Sequence, residues 1–176
     1  METVIVSEYN PEWTQNYEQE KIKIFEALNS LVQGIEHIGS TSVPGLGSKP
    51  IIDIMVGVSD LNQITEKQIN DLGSIGYTYV EKPDFPERKF FRRGEWRAGT
   101  HHLHIYKYKS ANWVNNILFR EYMRKDLHSK VQYYNLKKKL ENEFKHDRAA
   151  YTKGKSGFIQ DILSKARNDQ ELRNCF

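Results

Sequence analysis

Apolar positions along the chain change their period as the sequence advances. Trp13, Tyr17, Ile24, Leu28 and Leu31 recur at helical steps, so one face of this segment is expected to be buried. Asn10-Pro11 opens it, with Asn as the cap and Pro at the first helical position, and Gly34 is expected to end it. Val4-Ile5-Val6 predicts a short strand, and Ile35 to Ile38 another. Pro50 to Val58 is apolar on both faces apart from Asp53 and predicts a central strand. Thr65-Glu-Lys-Gln68 has the form of a capping box, opening a helix that ends near Gly73 or Gly76. Tyr77 to Val80, Lys89 to Arg93 and His101 to Tyr108 predict strands rich in aromatics, with Gly94-Glu95 turning a hairpin between the last two. From Ala111 Gly and Pro almost vanish. The pattern is helical to about Arg167, with three helices expected and breaks near 126–128 and 146–154. Helix, strands and then helices predict an α+β fold, a small mixed sheet with helices packed on it. One domain is expected over 1–176, mixed α/β in 1–110 and helical in 111–176.

Composition narrows the function classes. With 38% apolar and 28% charged residues over 176 positions, the chain is globular rather than disordered. A net charge of +3 is too small to announce nucleic-acid binding. The charge is uneven: residues 119–155 hold eleven Lys or Arg against five Asp or Glu. Phosphates are therefore the expected partners of the helical part. Cys175 is the single cysteine, which excludes an internal disulfide and a cysteine-built metal site and fits a reducing cytoplasm. The opening residues lack a signal-peptide pattern, and no apolar run has bilayer-spanning length, so no membrane association is expected.

The stretch from His37 to Val56 holds the densest candidate chemistry. Gly39 follows a strand and lets the backbone approach a ligand. Ser40, Thr41 and Ser42 offer hydroxyls and amides for phosphate oxygens, and Lys49 offers a point charge. Asp53 sits in the central strand, where an isolated carboxylate is costly and needs a partner or a cation. Spacing leaves two readings open: a tight turn with Asp53 as an internal acceptor, or an anion cradle with a cation between loop and acid. A Walker A loop is absent, and Gly45-x-Gly47 is a weak signal.

His37-Ile-Gly-Ser-Thr-Ser-Val-Pro-Gly-Leu-x-x-Lys-Pro-Ile-Ile-Asp-Ile resembles the signature of the GrpB family, small bacterial proteins whose domain also occurs fused to dephospho-CoA kinase. Tyr9-Asn-Pro-Glu-Trp13 is similar to the family's Tyr-Asp-Pro-x-Trp opening, with Asn10 replacing the Asp. His102-Leu-His104, Phe119-Arg-Glu-Tyr-Met-Arg124, Leu136-Lys137 and Tyr151-x-x-x-Lys155-x-x-Phe158-Ile159 extend the likeness over nearly the whole chain. The resemblance implies a nucleotidyltransferase fold, in which Gly-Ser precedes an acid-x-acid strand and a third acid lies on a later strand. Gly39-Ser40 and Asp53 match. Met55 stands at the second acid position and cannot hold Mg²⁺. His101 to Tyr108 corresponds to the third-acid strand and brings His102 and His104 to one face. A divalent metal (Mg, Mn or Zn) on Asp53, His102 and His104 is the implied cofactor, with imidazole favouring the transition metals. Alternating histidines also suit a half-buried surface bonded to its neighbours.

The remaining expectations follow from that resemblance. Asp53 and His104 are the implied catalytic residues. Gly39, Ser40, Thr41, Ser42, Lys49, Arg120, Lys137 and Lys155 are the implied phosphate or nucleotide ligands. His37 is expected to orient the loop. Arg120 and Arg124 share a helix face and suit a phosphate or an internal ion pair. Arg88 to Arg93 interleaves aromatic and basic residues, and its basic side chains are expected in water rather than on nucleic acid. Trp96 and Trp113 are expected to pack. The implied function is metal-dependent transfer of a nucleotidyl or phosphoryl group to a small acceptor. The alternative is an inactive module that binds a nucleotide or a coenzyme-A-like anion.

Overall fold

The computed structural model describes residues 3–95 and 98–173. Trp96 and Cys175 therefore lie outside the described residues. A five-stranded sheet is built from β1 (Gly34–Ile38), β2 (Ile52–Val58), β3 (Tyr77–Val80), β4 (Lys89–Glu95) and β5 (Ala98–Lys107), in the order β1-β2-β5-β4-β3. β2 and β5 are parallel neighbours, and the other pairings are antiparallel. α1 (Glu12–Leu28) and α2 (Glu66–Ser74) flank the sheet in sequence. α3 (Ala111–Lys125), α4 (Leu127–Glu143), α5 (Arg148–Gly154), α6 (Ser156–Asn168) and α7 (Gln170–Arg173) form the helical part. No helix among the described residues is long and apolar enough to cross a membrane.

The two faces of the sheet have different tasks. On one face Ile52, Ile54, Val56, Val58, Leu103, Ile105 and Phe91 are buried with Trp13, Tyr17, Ile24 and Leu28 of α1 and Leu72 of α2. Full burial of such side chains contributes about 1.5–3 kcal/mol each, so this face fixes the strand register. The other face carries Asp53, Met55, His102, His104 and Tyr106 at alternate positions. Ile38, Met55 and Tyr106 of this face are sealed by Trp113 and Ile117 of α3.

Several expected elements shift. Val4 to Val6 forms no strand; an isolated bridge joins Ser7 to Ser48, and Val4 N–H donates to the Lys145 carbonyl. α1 ends at Leu28 rather than beyond Leu31, because Asn29 takes a φ of 47° and starts a 3₁₀ turn. Asn10 accepts from Glu12 N–H at 2.9 Å and Pro11 has helical angles, so Asn10 caps α1 with Pro11 at its first turn, as expected. The capping box at Thr65 forms, with Gln68 accepting the Thr65 N–H at 3.2 Å. The break expected over 146–154 is itself helical. Asp147 accepts from Ala150 N–H at 3.0 Å and starts α5.

One polar link crosses the apolar layer. Glu20 of α1 is 4% exposed, yet it pairs with Arg93 of β4, Lys23 at 2.7 Å and the Tyr77 hydroxyl at 3.0 Å. Removing the carboxylate strands a guanidinium and a buried phenol together. Glu20→Ala is expected to lower stability by about 2–3 kcal/mol, read as a fall in the urea midpoint at constant slope. Arg93→Ala is expected to cost less, because Lys23 and Tyr77 still satisfy Glu20.

Candidate functional site

The parallel register sets Asp53 opposite His102 and Met55 opposite His104. Asp53 Oδ1 lies 3.1 Å from His102 Nδ1 and 3.5 Å from His104 Nε2. One donor atom from each of the three residues lies within 4.8 Å of the others. Burial alone would raise the Asp53 carboxyl, but its hydrogen bonds to the two imidazoles hold it well below the usual carboxylate range. Burial pushes His104 down, against the opposing pull of Asp53. His104 Nδ1 has no hydrogen-bond partner among the described residues.

Gly39 closes over this group. Its φ is 70°, and a Cβ there would stand 2.6 Å from Asp53 Oδ2, so only glycine lets the loop lie against the carboxylate. The Ser40–Ser42 segment is a 3₁₀ turn whose hydroxyls separate by role. Ser40 lines the cleft. Thr41 and Ser42 are buried, with Thr41 Oγ1 3.0 Å from His37 Nε2 and Ser42 Oγ donating to the Gly39 carbonyl at 2.6 Å. Their side chains shape the turn from behind. His37 stacks on Tyr17 at 4.7 Å, and burial pushes it down to about 4, so it stays a neutral anchor of the loop.

The cleft has a volume of about 390 Å³, and its walls include Lys49, Arg88, Lys137, Arg148 and Lys155, with Asp53 as the one carboxylate among the described residues. Lys155 Nζ stands 4.7 Å from the Tyr151 ring centroid and Lys49 Nζ 5.9 Å from it. Burial pushes Lys155 down to about 8, opposed by Asp53 and reinforced by Lys49 and Arg148. Lys137 is 2% exposed, donates to the Gly47 carbonyl and stands over Tyr133. Burial, then the neighbouring Lys155, pushes it down to about 7.

Of the residues singled out from sequence, the cleft gathers Gly39, Ser40, Lys49, Asp53, His102, His104, Lys137 and Lys155. Arg120 stands elsewhere. It is 8% exposed and holds Glu36 at 2.7 Å, Glu121 at 2.7 Å and the His37 carbonyl at 2.8 Å, so its fork is used inside the fold. Arg124 donates to the Ser42 carbonyl. The basic strand expected in water is engaged too: Arg93 pairs with Glu20, and Arg88 enters the cleft. Trp113 packs as expected. Arg88, Arg148, Tyr106 and Asn116 were not visible as site residues, because only the fold brings them together. A larger cavity of about 1070 Å³ lies between α1 and α3, bordered by Ile22, Phe25 and Trp113. Arg120, Glu36 and Glu121 on its wall are paired to one another, which leaves it without convergent chemistry.

Comparison with known proteins bears on family and fold. A family model described as GrpB protein matches residues 3–165. A protein of Streptomyces coelicolor is 34% identical over 161 residues, 92% of this chain and 83% of its own length. The glutamate-rich protein GrpB of Alkalihalophilus pseudofirmus is 29% identical over 164 residues, 92% of this chain and 94% of its own. The crystal structure of conserved protein GrpB from Enterococcus faecalis superposes with a TM-score of 0.86 at 33% identity, covering 93% of this chain and 98% of that one. The Cid1 poly(U) polymerase, solved with Mg and 3'-dATP, superposes at 0.54 and 12% identity over 85% of this chain and 49% of its own. The GLD-2/RNP-8 complex gives 0.58 and 13% over 89% and 60%. At such identities the likeness is one of fold, the nucleotidyltransferase fold, and this chain spans about half of those longer ones. The match along almost the entire length, in sequence and in shape, shows that the chain belongs to the GrpB family.

Proposed function

We propose that this chain binds a phosphorylated small molecule, a nucleotide foremost, together with one divalent metal, and transfers a nucleotidyl or phosphoryl group to a small acceptor. The observation that supports this best is the meeting of Asp53, His102 and His104 in a cleft walled by cations. The donor set fits an ion. Ligand bonds of about 2.0–2.2 Å place adjacent donors about 3 Å apart, and the two imidazole nitrogens stand 3.1 and 3.5 Å from Asp53 Oδ1. One carboxylate with two imidazoles favours Mn²⁺ or Zn²⁺ over Mg²⁺. Among the described residues His104 has no outer acceptor on Nδ1, so a moderate, exchangeable affinity is expected. Bound there, the ion supplies Lewis acidity toward a phosphoryl oxygen. Gly39 and Ser40 give that oxygen a close backbone wall. Lys49, Lys137 and Lys155 neutralise charge on the phosphates. In this reading Thr41, Ser42 and Arg120 act by holding the loop's shape.

Met55 favours a second reading, a binding module without turnover. It is fully buried among Ile38, Tyr106, Trp113 and Ile117, so the second acid of two-metal chemistry is replaced by hydrocarbon. Turnover separates the two readings: release of pyrophosphate or phosphate from a nucleotide with Mn²⁺ sustains the transferase, and saturable binding without release sustains the module.

Mn²⁺ with ATP is expected to raise the melting temperature of the wild-type chain, since a ligand at about 100 times its Kd adds about 2.7 kcal/mol. Asp53→Asn is expected to weaken Mn²⁺ binding at least about tenfold while the metal-free protein keeps its fold. Equal Mn²⁺ affinity in the two proteins, measured by calorimetry, would sink the proposed metal site.

Lys137 yields a pH prediction. Its folded pKa of about 7 lies below the ordinary lysine value of 10.5, so the unfolded chain binds more protons between those limits. The burial cost is complete below pH 7 and is relieved as pH rises toward 10.5. Lys137→Met is therefore expected to stabilise the protein by about 1–2 kcal/mol at pH 6.5, after loss of the bond to Gly47. The advantage should shrink between pH 7 and 10, and phosphate binding should weaken. Denaturant titrations at three pH values check the slope.

A further inference from the structure

Arg88 ends the loop between β3 and β4 and lines the cleft. Its guanidinium carbon stands 5.0 Å from the Phe85 ring centroid and 5.2 Å from that of Phe90. Phe90 in turn packs on His102 and His104, each at 5.2 Å. Glu87 accepts from Asn112 Nδ2 of α3 at 3.0 Å, which ties the loop down beside Arg88. Contacts with two rings limit how the guanidinium turns and leave its edge able to donate. Its Nε is buried without a hydrogen-bond partner, and no carboxylate forms a salt bridge with it among the described residues. A preorganised guanidinium with an unmet buried donor is costly until an acceptor completes it, and an anion is the strongest acceptor for it.

Its place along the strands is set by register. Lys89 pairs with Ile105, so Arg88 comes level with Tyr106, whose hydroxyl it lies beside together with Asn116. Lys49 stands before Ile52, whose partner is His101. The rows of Asp53, His102 and His104 fall between. Cations thus flank the triad at both ends of one face, with Lys49 and Lys155 at one end and Arg88 at the other. The rows of His101 and Tyr106 are five residues apart, about 16 Å along the strand, a spacing that suits linked phosphates better than a single one.

We infer that Arg88 is a second anion-binding residue of the cleft, holding one phosphate of a di- or triphosphate chain across the triad from Lys49 and Lys155. Phe85, 58% exposed, braces that guanidinium from the solvent side. The inference rests on the proposal that the cleft takes a phosphorylated molecule, and it names the ligand class more narrowly.

Calorimetry with tripolyphosphate and with orthophosphate, in the presence of Mn²⁺, tests it. Wild-type protein is expected to bind tripolyphosphate more tightly than orthophosphate. Arg88→Ala is expected to weaken tripolyphosphate about 10- to 100-fold, the worth of one or two charge-assisted hydrogen bonds, and orthophosphate by no more than about threefold. Phe85→Ala should weaken tripolyphosphate by a smaller factor. Unchanged tripolyphosphate affinity in Arg88→Ala, or equal wild-type affinity for the two anions, overturns the inference. Binding of Mn²⁺ with no phosphate compound bound overturns it while the metal site stands. Failure of Mn²⁺ and of both anions removes the proposed function as well. If Arg88→Ala does not fold, judged by circular dichroism, Arg88→Gln is measured against the same criteria.

Discussion

Everything on the chemical face follows from how β2 pairs with β5. Parallel pairing puts Asp53 beside His102 and one step from His104. A slip of one residue would turn both histidines to the opposite face. That slip is prevented from behind, where Ile52, Ile54, Val56 and Val58 meet Leu103 and Ile105 under α1 and α2. Apolar packing on one face thereby specifies polar geometry on the other. The triad therefore does not depend on its own hydrogen bonds alone to stay assembled, which leaves those donors available to the ion of the proposed function.

The strands that carry the triad were readable because their side-chain alternation survives burial. The β-branched run through Asp53 and the His-x-His step each place their polar groups on one face, while bringing the two strands together rested on the family resemblance, which matches His101 to Tyr108 to the third-acid strand. Helix ends were less readable. Asn29 adopts a positive φ that Asn tolerates without announcing it, and Asp147 starts a helix in a stretch whose composition resembles a break. Thr41 and Ser42 look in sequence like further phosphate ligands. Their hydroxyls are consumed by His37 and by the Gly39 carbonyl once the 3₁₀ turn forms. Arg120 was visible as a cation but not as the partner of Glu36, which lies 84 residues away in the chain. Arg88 is the reverse case. A strand-like mixture of Arg, Lys and Phe gives no sign of which member stands level with Tyr106.

Met55 shows how a single position changes the electrostatics of such a cleft. In a site with two carboxylates, the protein supplies most of the negative charge that holds the ions. Among the described residues Asp53 is the one carboxylate on the wall, and Met55 belongs to the hydrocarbon that seals the sheet. The histidines contribute donors without charge when neutral, and burial favours that form for His104. A divalent ion on this set leaves positive charge uncompensated, with five further cations nearby.

That imbalance has a direction. On the proposed function, a divalent ion held by Asp53, His102 and His104 and a polyanion in the cleft would each favour the other's binding, because the anion would cancel charge that opposes the ion. Linkage requires the coupling to be mutual. Lys137 and Lys155 obey the same logic. Their burial disfavours the ammonium form in the free protein, and an arriving phosphate restores it by pairing with the proton-bearing state. Binding in this cleft is thus expected to take up protons near neutral pH as it takes up the anion. On that reading, charge on a bound phosphate would be matched partly by guanidinium and metal, and partly by lysines whose ammonium form the phosphate restores.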